Sequence, residues 1–240
     1  FTFPGQGSQA VGMGRELSET YQEARNVFIE VDDALGYNLT AIMFDGPEET
    51  LRLTENAQPA LMAVSMAVVR VLEARGVKLV DHAAFVAGHS LGEYSALAAA
   101  GSLPLADAAR LPQTRGKAMQ QAVPAGEGAM AAILGIDFEA LRDIAGAAAL
   151  DQVCDIANDN APGQIVISGT NDAFDRAIEL AKARGVKRAL PLPVSAPFHS
   201  RLMAPAAEVM REALQDVTLR APVVPLVSNV LARPITSPDE

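Results

Sequence analysis

The stretch VAGHSLGEYSALAAAG, residues 86–101, sets one serine between two glycines at the point where an apolar strand pattern gives way to a helical one. AAFVAG (83–88) has no polar alternation and reads as an inner parallel strand. A helix to about Gly101 follows Ser90. Two readings of Ser90 fit. Ser-Leu-Gly-Glu matches the S-x-x-E capping box, in which Ser90 accepts from the Glu93 N–H and Glu93 reaches back. Capping, however, does not require glycine on both sides, and Gly88 and Gly92 complete G-x-S-x-G, a nucleophile elbow. There the serine stands at a sharp strand-to-helix turn, and the Leu91 N–H points toward an oxygen on its acyl group. One such donor lowers a barrier by about 3 kcal/mol.

Working outward, FTF is a short strand and GQGSQAVGMG a glycine-rich loop. Leu17, Tyr21, Ala24, Val27, Phe28 and Val31 recur at helical spacing up to a stop at Gly36. A buried helix runs from Thr54 to before Gly76, and another from Leu105 to Ala122. From Gly126 the pattern changes. Strands AMAAILG, VCDIAN, QIVISG and RALPLPV alternate with helices 137–149 and 171–184 in the order β-α-β-β-α-β, a ferredoxin-like unit. A helix then carries Leu202, Met203, Ala206, Val209, Met210 and Ala213, and VPLVSNV is read as the last strand. The expected fold is α/β: a parallel-sheet, α/β-hydrolase-like core (1–124 and 196–240) with an inserted ferredoxin-like subdomain (125–195). The C-terminal part of the core is expected to be incomplete.

The 240 residues are half apolar and one-fifth charged, which suits a globular core. A net charge of −10 argues against generic nucleic-acid binding. The run 57–72 is broken by Gln58, Pro59, Ser65 and Arg70 and reads as a buried helix rather than a membrane span. Cys154 has no partner for a disulfide, so a reducing, cytoplasmic setting is expected. Three scattered histidines and one cysteine lack metal-ligand spacing.

A serine hydroxyl needs a base, and histidine is suited by its near-neutral pKa. His89 adjoins Ser90 and should point away from the elbow tip. His82 lies in a polar turn. His199, in the loop SAPFHSRLM, is the remaining candidate. Asp155, Asp159 and Asp172 lie between serine and histidine but within the inserted unit, which favours a Ser–His dyad. Gly5, Gly7 and Ala10 loosely fit a dinucleotide loop, yet no acidic residue follows at the end of a next strand.

FPGQGSQ (3–9), TENAQPAL (54–61), GHSLGEYSAL (88–97), TRGKAM (114–119), NAPGQIVISG (160–169) and PFHSRLM (197–203) occur in this order. Together they closely resemble the malonyl-CoA:acyl carrier protein transacylase family, relatives of polyketide synthase acyltransferase domains. The resemblance implies malonyl transfer from malonyl-CoA to the phosphopantetheine thiol of acyl carrier protein, in fatty-acid synthesis, with no bound cofactor. It implies Ser90 as nucleophile, His199 as base and acid, and the Gln6 and Leu91 N–H groups as oxyanion hole. Arg115 would hold the malonyl carboxylate, since a planar guanidinium matches it with two parallel bonds. Phe198 resembles the malonyl-selective pattern, against simple packing. Asn160 and Gln58 match positions near the site, against plain roles as turn former and helix-start residue.

The family's last segment carries a glutamine whose carbonyl orients the histidine; these residues have no counterpart, so the partner of His199 stays open. Pro112 is expected to break or kink the helix bearing Arg115. Lys182, Arg184, Lys187 and Arg188 form a basic patch that suits an acidic carrier, or simply the C-terminal end of a helix. A serine esterase or thioesterase using the same pair is the alternative activity.

Overall fold

The computed structural model describes residues 1–124, 126–194 and 196–240. The chain divides into two compact units, Phe1–Lys117 with Met210–Glu240, and Ala118–Val209. The fold is α/β with mixed sheets.

The first unit begins with β1 (Thr2–Phe3) and helices α1 (Arg15–Thr20), α2 (Gln22–Leu35), α3 (Leu39–Asp45), α4 (Glu48–Arg52), α5 (Thr54–Ala74) and α6 (Leu79–His82). β2 (Val86–Gly88), α7 (Gly92–Ala99) and α8 (Leu105–Ala122) follow. Next come β3 (Gly128–Leu134), α9 (Phe138–Ala149), β4 (Cys154–Ala161), β5 (Gln164–Thr170), α10 (Asn171–Ala183) and β6 (Arg188–Pro191). Within α11 (Ala204–Gln215) the chain returns to the first unit, which it completes with β7 (Leu226–Val227) and β8 (Pro234–Ile235).

In the first sheet the order is β1-β2-β7-β8. β1, β2 and β7 run parallel, and β8 is antiparallel to β7. VPLVSNV is therefore not one last strand. Only Leu226 and Val227 join the sheet, and a turn through Ser228 and Ala232 brings β8 back along them. Phe28, Leu39, Met43, Met62 and Met66 form the core beside this sheet. α5 is long and apolar enough to cross a membrane by length and composition, but most of it is buried inside the protein, as expected of a buried helix over 57–72.

The helix expected from Leu17 to Gly36 is broken at Tyr21, whose backbone is extended (φ −125°, ψ 124°). Arg25 caps the end of α1 by donating to the Ser18 and Glu19 carbonyls, and the Arg75 guanidinium lies over the Tyr21 ring at 4.3 Å. α8 runs through Pro112 without interruption, so the expected break does not occur.

In the second unit the sheet order is β4-β5-β3-β6, with every pairing antiparallel. The order β-α-β-β-α-β expected there is present. Ile133, Ile144, Ile165, Ile167 and Phe174 fill the space between this sheet and α9 and α10. The unit extends past the expected boundaries of 124/125 and 195/196; residues 125 and 195 themselves lie outside the described residues. The reason is a second apolar cluster. Ala118, Met119 and Val123 pack with Met130, Val166, Phe198, Met203 and Ala206, which draws the end of α8 and the start of α11 into this unit.

Candidate active site

The elbow is built by backbone contact. A Cβ on Gly88 would lie 1.9 Å from the carbonyl carbon and oxygen of Gly92, and a Cβ on Gly92 would lie 2.5 Å from the Phe3 carbonyl oxygen. Only glycine allows the strand end, the helix start and β1 to come this close. Ser90, between them, has φ +53°, in the left-handed region. For a non-glycine residue this conformation costs about 1–3 kcal/mol and persists where the surroundings enforce it, commonly at functional sites.

The bonds around Ser90 differ from a capping box. α7 starts without a side-chain cap, and its Glu93 carboxylate accepts from the Asn229 N–H at 3.2 Å. The Gly92 and Glu93 N–H groups donate to the His89 and Ser90 carbonyls at 2.9 and 3.1 Å. The Leu91 N–H thus stands at a helix N-terminus, where no intrahelical acceptor exists. The Ser90 N–H donates to Asn229 Oδ1 at 2.9 Å, and Asn229 Nδ2 donates to the Gly88 carbonyl at 2.6 Å.

Arg115 reaches this elbow. Its Nη2 donates to Ser90 Oγ at 3.0 Å, and its Nη1 to Gln58 Oε1 at 2.6 Å. Gln58 is fully buried on α5, well beyond a helix-start role. The approach of α8 to α5 depends on Gly116: a Cβ there would lie 2.6 Å from Glu55 Cα and the Thr54 carbonyl oxygen. Removal from water lowers the Arg115 pKa from its ordinary value, with Tyr94 and Glu93 acting in the opposite direction. An arginine so displaced is still a cation at neutral pH. Burial raises the Glu93 carboxyl, against the Asn229 bond and the Arg115 charge.

Gln6 follows Gly5, which packs on His89: a Cβ on Gly5 would lie 2.7 Å from His89 Nδ1. The Gln6 side chain donates to Thr54 Oγ1 at 3.2 Å, beside the α5–α8 contact. The first helix opens only at Arg15, so the glycine loop does not lead into a helix as a dinucleotide site requires. His82 is exposed, its Nδ1 3.0 Å from the Lys78 carbonyl oxygen.

The other expected residues belong to the second unit. His199 is partly buried in a turn at φ +57°, a second left-handed non-glycine residue. Ser200 Oγ donates to the Pro197 carbonyl at 2.8 Å, inside the same turn. Arg201 grips Asp155 through its backbone N–H (2.8 Å), Nη2 (2.6 Å) and Nε (3.1 Å). Desolvation raises the Asp155 pKa, but the Arg201 bonds outweigh it and hold this carboxyl below its usual range. Phe198, buried, belongs to the apolar cluster around Met130 and Met203. Asn160 is exposed within β4, at the register shift between Asp159 and Ala161, and is not a turn residue. Lys182, Arg184, Lys187 and Arg188 are all exposed, with Lys182 paired to Glu179 at 2.8 Å.

Asn229 was missed in the sequence, where it sits in an apparent strand. Its only signal is an SN pair next to a β-turn-forming segment, which does not point to the elbow.

A strand–turn–helix elbow with a strained serine and an adjacent guanidinium is an arrangement suited to an acyl-transfer protein. The acyl transferase domain family matches residues 1–239. Malonyl CoA-acyl carrier protein transacylase of Bacillus subtilis (strain 168) is 50% identical over 237 residues, covering 98% of this chain and 74% of the relative. The crystal structure of acyl-carrier-protein-S-malonyltransferase from Bartonella henselae superposes with a TM-score of 0.96 at 56% identity, over 100% of this chain and 76% of that one. A malonyl-transacylase solved in complex with its type II PKS acyl-carrier protein matches with a TM-score of 0.93 at 44% identity, over 98% of this chain and 75% of that one. The chain belongs to the acyl transferase family and, within it, to the malonyl CoA-acyl carrier protein transacylases.

Proposed function

We propose that this chain moves a malonyl group from malonyl-CoA to the phosphopantetheine thiol of acyl carrier protein through an ester on Ser90. The observation that carries this is the Arg115 guanidinium 3.0 Å from Ser90 Oγ: a cationic fork beside a strained nucleophile suits an acyl group with a free carboxylate. Ser90 Oγ attacks the thioester carbonyl carbon, and His199 takes the hydroxyl proton. The Gln6 and Leu91 N–H groups stabilise the oxyanion. The C–S bond breaks, and His199 returns the proton to the departing CoA sulfur. In the second half-reaction His199 takes the carrier thiol's proton, the sulfur attacks the Ser90 ester, and the proton goes back to Oγ.

Gln58 steadies Arg115, Asn160 contributes to binding, and the fixed ring of Phe198 limits branching on the acyl group. The four exposed cations at 182, 184, 187 and 188 steer the acidic carrier. The short parallel strands feeding the elbow support a hydrolase-like core, and the β4-β5-β3-β6 order supports a ferredoxin-like insertion. A cytoplasmic setting suits the buried, unbridged Cys154.

Intact-mass analysis after brief exposure to malonyl-CoA tests the reading. One malonyl adduct is expected, mapped to Ser90, absent in Ser90→Ala, and discharged by holo carrier protein. An adduct elsewhere, or release mainly as free malonate with carrier present, would defeat it. Charge reversal at Lys182 and Arg184 should slow discharge and spare loading; unchanged discharge removes the patch.

A further inference from the structure

Asn229 has no part in the steps above, yet its contacts converge on the elbow. Its amide bridges two backbone groups: Oδ1 accepts from the Ser90 N–H at 2.9 Å and Nδ2 donates to the Gly88 carbonyl at 2.6 Å. Its own N–H is held by Glu93 Oε1 at 3.2 Å. One residue thus ties the end of β2, the serine itself and the first turn of α7. A primary amide presents one acceptor and one donor in a single plane, which suits a nearby N–H and C=O together.

The Ser90 N–H needs such a partner. Standing at φ +53°, the residue belongs neither to the β ladder nor to the helix, so neither regular structure supplies an acceptor. The Gly88 carbonyl likewise marks the last residue of β2. Asn229 comes from the far end of the chain, just after β7, which pairs with β2 and so delivers it beside the elbow.

We infer that Asn229 is a positioning residue that locks Ser90 in its left-handed conformation and thereby aims Oγ for acyl transfer. The inference rests on Ser90 being the nucleophile. It differs from a structural role in what it controls, namely the rate at a bound, saturated site rather than the amount of folded protein.

The test is the single-turnover loading of Ser90 by malonyl-CoA, followed by intact mass, in the parent chain, Asn229→Ala and Asn229→Asp. In Asn229→Ala we expect full final loading and a thermal midpoint within a few degrees of the parent. The saturating rate should fall about 30- to 100-fold, with half-saturation moved less than about threefold. Asn229→Asp keeps an acceptor for Ser90 but turns its other oxygen on the Gly88 carbonyl, and should slow loading at least as much as Asn229→Ala. Exchange of the Ser90 amide hydrogen should quicken most in Asn229→Ala, which removes its acceptor. A saturating rate within about threefold of the parent in folded Asn229→Ala, or a loss confined to half-saturation or to the fraction that loads, overturns the inference.

If Asn229→Ala does not fold, Glu93→Ala removes the acceptor of the Asn229 N–H together with a negative charge that acts on Arg115, and Glu93→Gln removes the charge alone. Glu93→Ala should slow saturated loading about three- to tenfold, and Glu93→Gln should restore it within about twofold. Parent-like loading in Glu93→Ala overturns the brace. A parent chain that never loads Ser90 fails the proposed function instead, so the two failures are distinct.

Discussion

Ser90 and His199 both hold left-handed backbone that a side chain disfavours, at φ +53° and +57°, and the two turns are braced by different physics. Around Ser90 the brace is bare backbone in contact, closed by the neutral Asn229 amide. Around His199 it is a small hydroxyl bond and an ion pair, Arg201 on Asp155, with the arginine side chain 69% exposed. The first arrangement has no slack. The second includes an exposed guanidinium on a largely covered carboxylate, a pair that salt and acid can loosen.

The largest expected effect breaks the tighter turn. Gly88→Ala places a Cβ 1.9 Å from Gly92 backbone atoms that cannot retreat. Loading of Ser90 should fall by more than about 1000-fold, or the protein should fail to accumulate in soluble form. Gly128→Ala is the matching change beneath the other turn. Its Cβ would lie 2.5 Å from Pro197 Cγ and 2.8 Å from the Gly169 carbonyl oxygen. The Gly169 oxygen is main chain too, but both contacts are looser than the 1.9 Å at Gly88, so a smaller loss, about 10- to 100-fold, is expected in the same assay. Equal losses would erase the contrast between the turns.

Asp155→Asn tests the softer brace. The Asp155 carboxyl is held below its ordinary pKa in the folded protein. Its contribution is therefore present above the unfolded value, about 3.9, and is lost as pH falls through the lower folded value. Asp155→Asn should lower the thermal midpoint by about 2–4 °C at pH 7 and leave it unchanged near pH 2. The difference should shrink in high salt. A midpoint gap that persists in acid would show that the charge is not what holds the turn.

Glu93 gives the smallest effect, of opposite sign. Burial raises its folded pKa, so ionisation above that value costs stability that is absent below the unfolded pKa of about 4.3. Glu93→Gln should raise the midpoint by about 1–2 °C at pH 7, with the gain vanishing below about pH 4. A gain that survives into acid would point to packing rather than charge.

The same contrast explains what the sequence revealed. The elbow is legible because its requirements are local: two glycines flank one serine between a strand and a helix. The order of elements in the second unit is legible because Gly and Pro separate short periodic runs. Long-range contacts are not. Gln58 and Arg115 meet across 57 positions, and Asn229 meets Ser90 across 139. The break at Tyr21 depends on Arg25 turning back to cap α1, which spacing of apolar residues does not record. The unit boundaries depend on which core claims the apolar faces of α8 and α11, and periodicity marks a face without naming its partner. At Pro112 the break does not occur, because α8 stays helical around it.

The stacked backbones at Gly88, Gly92 and Phe3 also bear on how this protein can be altered. Directed evolution toward other acyl groups proceeds by single substitutions, and at those glycines every one meets main chain at 1.9 or 2.5 Å. Variation there is closed to stepwise search, so libraries aimed at new substrates should leave the turn intact and diversify the side chains that face it from α5 and α8.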